Sequence, residues 1–183
     1  GLGWPWRAAF RAGMLRAMTL APVLETLIVR ELRAFKRELE AYADDASVWR
    51  PVPGTPNTGG TLALHAAGNI QHYIGAILGR SGYVRDRDAE FARRDVPRRE
   101  LLAGLDAAIA SVQRTLPGLS EAQVAAPYPE PIAKRSVSAR YFLVHLATHL
   151  AYHLGQLDYH RRAVSANTQG VDAVSVRELP EVS

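Results

Sequence analysis

ARYFLVHLATHLAYHLGQLDYHRR, residues 139–162, is the stretch on which the fold reading turns. It reads as one long helix, capped by Ser136 or Ser138. Four of the six histidines of the chain lie in it: His145, His149, His153 and His160. At about 100° per residue these four fall within one narrow sector of the helix. Apolar neighbours such as Leu146 show that this sector borders a core.

Working outward, the same period recurs three times upstream. A first helix is predicted from Pro22 to Ala43, because Leu24, Leu27, Ile28, Leu32, Phe35 and Leu39 recur at helical spacing with charged residues between them. RPVPGTPNTGG, residues 50–60, carries three Pro and three Gly and reads as a loop. A second helix is predicted from an N-cap at Thr58 or Thr61 through TLALHAAGNIQHYIGAIL to Gly79–Gly82, and it holds the other two histidines, His65 and His72. The polar stretch RDRDAEFARRD, residues 85–95, reads as a loop. A third helix is predicted after an N-cap at Asp95, with Leu101, Leu102, Leu105, Ile109, Val112 and Leu116 as its buried stripe and Pro117-Gly118 as its stop. Residues 119–137 read as irregular. The expected fold is therefore all-α, an antiparallel four-helix bundle.

The histidines carry the chemistry. A single buried imidazole needs a hydrogen-bond partner or it destabilises the fold. Several on facing sides of a bundle are accounted for together by one metal ion. Neutral imidazole is a ready ligand, and a pair at i and i+4 can aim two nitrogens at one point. His149 and His153 form such a pair, and His65 is the natural third donor. Three neutral ligands leave the charge of the ion uncompensated, which favours an anion, hydroxide or thiolate at an open position. The chain has no Cys. Disulfides, thiolate ligands and a cysteine nucleophile are therefore excluded, and any thiol in the chemistry must come from a second molecule.

HLATHLAYHLGQ, with LALHAAGN upstream, resembles the DinB superfamily of helical bundles, the DinB/YfiT-like metalloenzymes. The match rests on His149, His153, Gly155 and Gln156 in the last helix and His65 in the second. LHAAGNIQHYIGAILGRSGYVRDRDAEFA is particularly similar to an uncharacterised DinB-like subgroup first defined as a domain of unknown function. The likeness runs from about Leu20 to about Ser165. Leu154 departs from it, since members often carry Arg there. The resemblance implies a divalent ion (nickel, zinc or iron) on His65, His149 and His153. It also implies a homodimer, and in characterised relatives a thiol-dependent transferase or isomerase using bacillithiol, mycothiol or glutathione. On this reading Asn69, His72, His145 and Gln156 stand beside the ligands or line the cavity, and His160 is a boundary residue.

Other features bound the answer. The 183 residues suffice for one domain: an N-terminal extension or cloning remnant at 1–17, the bundle at 18–166 and an irregular tail at 167–183. The net charge is +4 and the pI 9.7, but the Lys and Arg are scattered among acids, so neither nucleic acid nor a membrane is the expected partner. A small-molecule substrate is. The absence of Cys suits a cytoplasmic location. Asp86, Asp88 and Glu90 are read as a salt-linked loop with Arg85 and Arg87, the alternative being a carboxylate ligand or base. Tyr73, Tyr141, Tyr152 and Tyr159 are read as core or cavity lining. Three uses of the site stay open: a thiol-dependent S-transferase acting on small electrophiles, a hydrolase, and a non-catalytic metal-binding or ligand-binding module.

Overall fold

Helix α1 (Leu20–Glu40) forms because its apolar stripe is continuous. Leu24, Ile28, Leu32, Phe35 and Leu39 are all buried, each stabilising the fold by about 1.5–3 kcal/mol relative to exposure. The computed structural model describes residues 20–181, so the reading of residues 1–17 falls outside the described part. Among the described residues there are seven α-helices and no strand. The long ones are α1, α3 (Gly59–Ile70), α5 (Arg98–Thr115) and α7 (Ala139–Ser165). Short ones are α2 (Asp45–Val48), α4 (Arg87–Ala92) and α6 (Glu121–Ala125). Helices α1 and α3 each pack against both α5 and α7. Leucines of α7 from Leu143 to Leu157, Leu101 and Leu105 of α5, and Leu116 just past its end fill the space between them.

The ends follow side-chain chemistry. The Thr58 hydroxyl accepts the Thr61 N–H at the start of α3, and Ser138 accepts the Tyr141 N–H at the start of α7. Two glycines open α3 because neighbours come too close for a Cβ: one at Gly60 would run into the Trp49 ring, and one at Gly59 into the Tyr42 hydroxyl. Helix α3 then widens without a break into a π-helix over Gln71–Leu78.

Four local expectations are corrected. Residues 119–137, read as irregular, hold α6, capped by Ser120. The polar stretch 85–95 contains α4, capped by the Asp86 side chain on the Ala89 N–H. Asp95 is not the cap of α5; it has φ of 55° and Pro97 stands at the cap. The Arg98 N–H is instead satisfied by Asp45 Oδ2 at 3.0 Å, a partner from α2. Helix α1 covers Leu20–Glu40 rather than Pro22–Ala43. The tail after α7 is irregular apart from one 3₁₀ turn at Val176–Glu178. It lies against the helices, because Arg37 donates to the carbonyls of Val171 and Asp172 and Arg161 to those of Asn167 and Gln169. No described helix is long and apolar enough to cross a membrane.

Candidate metal centre

One turn of α7 separates His149 from His153, so both rings leave the same face. His65, on α3, comes to meet them. Its ring lies 5.4 Å from that of His149 and 5.0 Å from that of His153, and those two are 4.4 Å apart. One ring nitrogen from each of the three lies within 4.8 Å of the other two. Nε2 of His149 and Nε2 of His153 are 3.0 Å apart. Two nitrogens on one tetrahedral ion with bonds near 2.0–2.1 Å would stand about 3.3 Å apart, so this pair needs almost no rearrangement, while His65 would close in from within 4.8 Å.

Which nitrogen is free follows from the partners. Nδ1 of His65 is 2.9 Å from Glu90 Oε2. A carboxylate can only accept, so Nδ1–H donates and Nε2 keeps its lone pair. Nδ1–H of His153 likewise donates to Gln156 Oε1 at 2.7 Å. Both arrangements are what ligand imidazoles require: the far N–H is held by an acceptor and the near nitrogen is aimed at the ion. For His149 the desolvation of its half-buried ring, then the neighbouring His153, His65 and His145, push the pKa down to about 4. Burial lowers that of His153 too, against the Gln156 hydrogen bond. These two imidazoles are neutral near pH 7, the state in which an imidazole can bind a metal.

Glu90 holds its own position firmly. Arg85 grips it with Nε at 2.6 Å and Nη2 at 2.8 Å, and the Arg85 guanidinium sits 5.6 Å over the Tyr73 ring. Burial alone would raise the Glu90 pKa, but the hydrogen bonds from Arg85 and His65 hold it below the usual carboxylate range. Arg85 and Glu90 cancel each other, so among the described residues no uncompensated anion stands beside the imidazoles to neutralise a divalent ion. Gly68 makes the approach feasible, since a Cβ there would overlap the Glu90 carboxylate. Phe91, next on α4, covers the His65 ring at 5.0 Å. Sequence reading treated Asp86, Asp88 and Glu90 as equivalent; only Glu90 is buried against the imidazoles, while Asp86 caps α4. A glycine inside an apolar helix was the one available signal of a close approach.

The other candidates divide. Gln156 reaches His153 as described. His145 is exposed and stacks on His149 at 5.7 Å. Asn69 is buried one turn beyond His65 and bonds none of the three imidazoles. His72 faces Glu130 at 3.3 Å and lies edge-on to Tyr73. Seven residues of helix set His72 about 10 Å along the axis from His65, and it falls in the π-helical turn that begins at Gln71. His160 is no boundary residue: it is buried, with Nδ1 2.7 Å from the Tyr42 hydroxyl and Nε2 2.9 Å from the Arg50 carbonyl. Leu154 is in the core. Tyr141, Tyr152 and Tyr159 are exposed rather than core, and only Tyr73 is partly buried.

The sequence model of the DinB superfamily matches residues 27–157, a span that includes all three imidazoles and Glu90. Neither the curated proteins nor the solved structures contain a significant match.

Proposed function

The chain belongs to the DinB superfamily, and from that premise we propose that it is a metal-dependent enzyme, a thiol-dependent S-transferase acting on small electrophiles. We read the four long helices as an antiparallel four-helix bundle that serves as its frame. The observation that carries the reading is the convergence of three imidazole nitrogens within 4.8 Å, with Nδ1–H fixed on Glu90 for His65 and on Gln156 for His153. His65, His149 and His153 would hold the ion. Among the described residues the group has three members, whereas a closed structural site uses four protein ligands. That count favours catalysis over a purely structural metal.

When bound, a divalent ion supplies positive charge that stabilises an anion at its open position. The residues of the chain do the rest. Glu90 and Gln156 keep the protons of His65 and His153 on Nδ1. Arg85 keeps Glu90 ionised and in place, and Phe91 shields the His65 ring from water. Because the chain lacks Cys, the nucleophilic sulfur comes from a low-molecular-weight thiol. It loses its proton to solvent, forms a sulfur–carbon bond to the electrophile, and the leaving group departs with the bonding electron pair. We place this activity in the cytoplasm, where such thiols are kept reduced.

Metal analysis of protein expressed with nickel, zinc and iron present tests the site. About one equivalent is expected, dropping to background in His149→Ala and His153→Ala. Assays of the loaded protein with glutathione, bacillithiol and mycothiol against alkylating and epoxide electrophiles then test the reaction. Thiol-independent turnover would move the reading to a hydrolase, and absence of metal would end it. We also propose a homodimer, in keeping with the family likeness. Tyr141, Val144 and Tyr152 form an exposed, uncharged stripe along α7 that supports it, and sedimentation equilibrium reads it.

A further inference from the structure

A second cavity, of about 440 Å³, lies between the loop at residues 52–57 and the end of α7. Val52, Pro56, Leu62, Tyr159 and Ala163 supply its apolar walls, and Gln156 stands at its edge. That volume is in the range of small-molecule sites. No Asp, Glu, Lys or Arg lines it, so a charged occupant would be desolvated without a partner. Two of its polar side chains are already engaged. Both nitrogens of His160 are used, and the Thr55 hydroxyl donates to the Val52 carbonyl. Gln156 differs: its Oε1 accepts from His153, while no acceptor among the described residues holds its amide N–H₂.

We propose that this cavity binds the uncharged, apolar body of the electrophile, with an acceptor atom of that molecule taking the free N–H of Gln156. The proposal rests on the metal-enzyme reading above and names the substrate class for it: a neutral molecule, the size of one or two fused rings, carrying a carbonyl or similar acceptor. One amide then touches both the occupant and a ligand imidazole. That contact places the occupant one side chain away from the three-histidine cluster and couples the two events.

The probe is 6-propionyl-2-(dimethylamino)naphthalene, neutral, fused-ring and carrying a ketone, titrated by fluorescence into metal-free and zinc-loaded protein. Saturable one-to-one binding with blue-shifted emission is expected. Ala163→Trp fills the cavity from an exposed position and should raise Kd at least tenfold. Ala103→Trp, at a separate surface pocket, should leave it unchanged. By reciprocity, zinc must alter the probe Kd by the same factor as saturating probe alters the zinc Kd. Unsaturable binding, binding indifferent to Ala163→Trp with circular dichroism confirming its fold, or a coupling factor of one would each overturn the proposal. Zinc titration without probe reads the metal site by itself. Probe binding without zinc binding would sink the metal reading, and zinc binding without probe binding would sink this one.

Discussion

At the scale of single residues, the site depends on which imidazole nitrogen carries the proton. Glu90 and Gln156 decide that for His65 and His153, and they do so from outside the ligand set. Loss of such a partner costs about 10–100-fold in metal affinity. Gln156→Leu and Glu90→Gln are therefore expected to weaken zinc binding by about that factor, measured by competition with a chromophoric chelator, with the three imidazoles intact. Unchanged affinity in both would show that the Nδ1 partners do not orient the rings. A second consequence is pH dependence of the metal-free protein. His149 has a pKa near 4 when folded, against an ordinary value of 6.5, and burial lowers His153 and His160 in the same direction. Between about pH 6.5 and 4 the unfolded chain thus binds protons that the folded chain does not. Stability should fall as pH falls through that window, read as the urea midpoint after chelation, and His149→Asn should flatten the slope.

At the scale of elements, α4 decides whether Glu90 is available. It is six residues long, too short to be stable alone, and it owes its place to the Asp86 cap and to the contact of Glu90 at Gly68. Asp86→Ala removes the acceptor for the Ala89 N–H and should cost about 0.5–2 kcal/mol. Metal affinity should drop with it, because fraying α4 frees Glu90 and Phe91 from His65. A loss of stability with no loss of affinity would separate α4 from the site. The widening of α3 into a π-helix belongs to the same scale. It begins at Gln71, so His72 belongs to the wider turn, where it faces Glu130.

At the scale of the whole molecule, one buried cluster ties the helices to the tail. Arg161 is fully buried and pairs with Glu38 of α1, also fully buried. It reaches Asp158 at 3.2 Å and donates to two tail carbonyls. Burial raises the Glu38 pKa, and the Arg161 hydrogen bond and charge oppose that rise. Breaking a buried pair from one side leaves the other charge uncompensated, at about 3–5 kcal/mol. Arg161→Met should cost about that much in denaturant unfolding and should expose residues 167–181 to limited proteolysis. Glu38→Gln with Arg161→Met should recover part of the loss, since neither charge then remains.

The periodic apolar pattern by itself determined the four long helices and the pairing of His149 with His153, and it narrowed two of their caps to a pair of candidates each, of which the structure uses Thr58 and Ser138. These are short-range matters: a 3.6-residue repeat puts residues four apart on one face whatever surrounds the helix. The sequence names His65 as the natural third donor, the family likeness matches the same residue, and in the structure its ring lies 5.4 Å and 5.0 Å from those of His149 and His153. Only the tertiary structure decided the rest. Glu90 stands 25 residues from His65, beside two other carboxylates, Asp86 and Asp88, and burial against the imidazoles selects it only in the folded chain. Asp45 caps α5 from another helix for the same reason. His145 and His160 share a helical sector, yet one is exposed and the other buried, because the Arg50 carbonyl and Tyr42 cover one end of α7 and, among the described residues, no such cover lies over His145. Burial is set by what packs against a residue, and that partner comes from distant sequence.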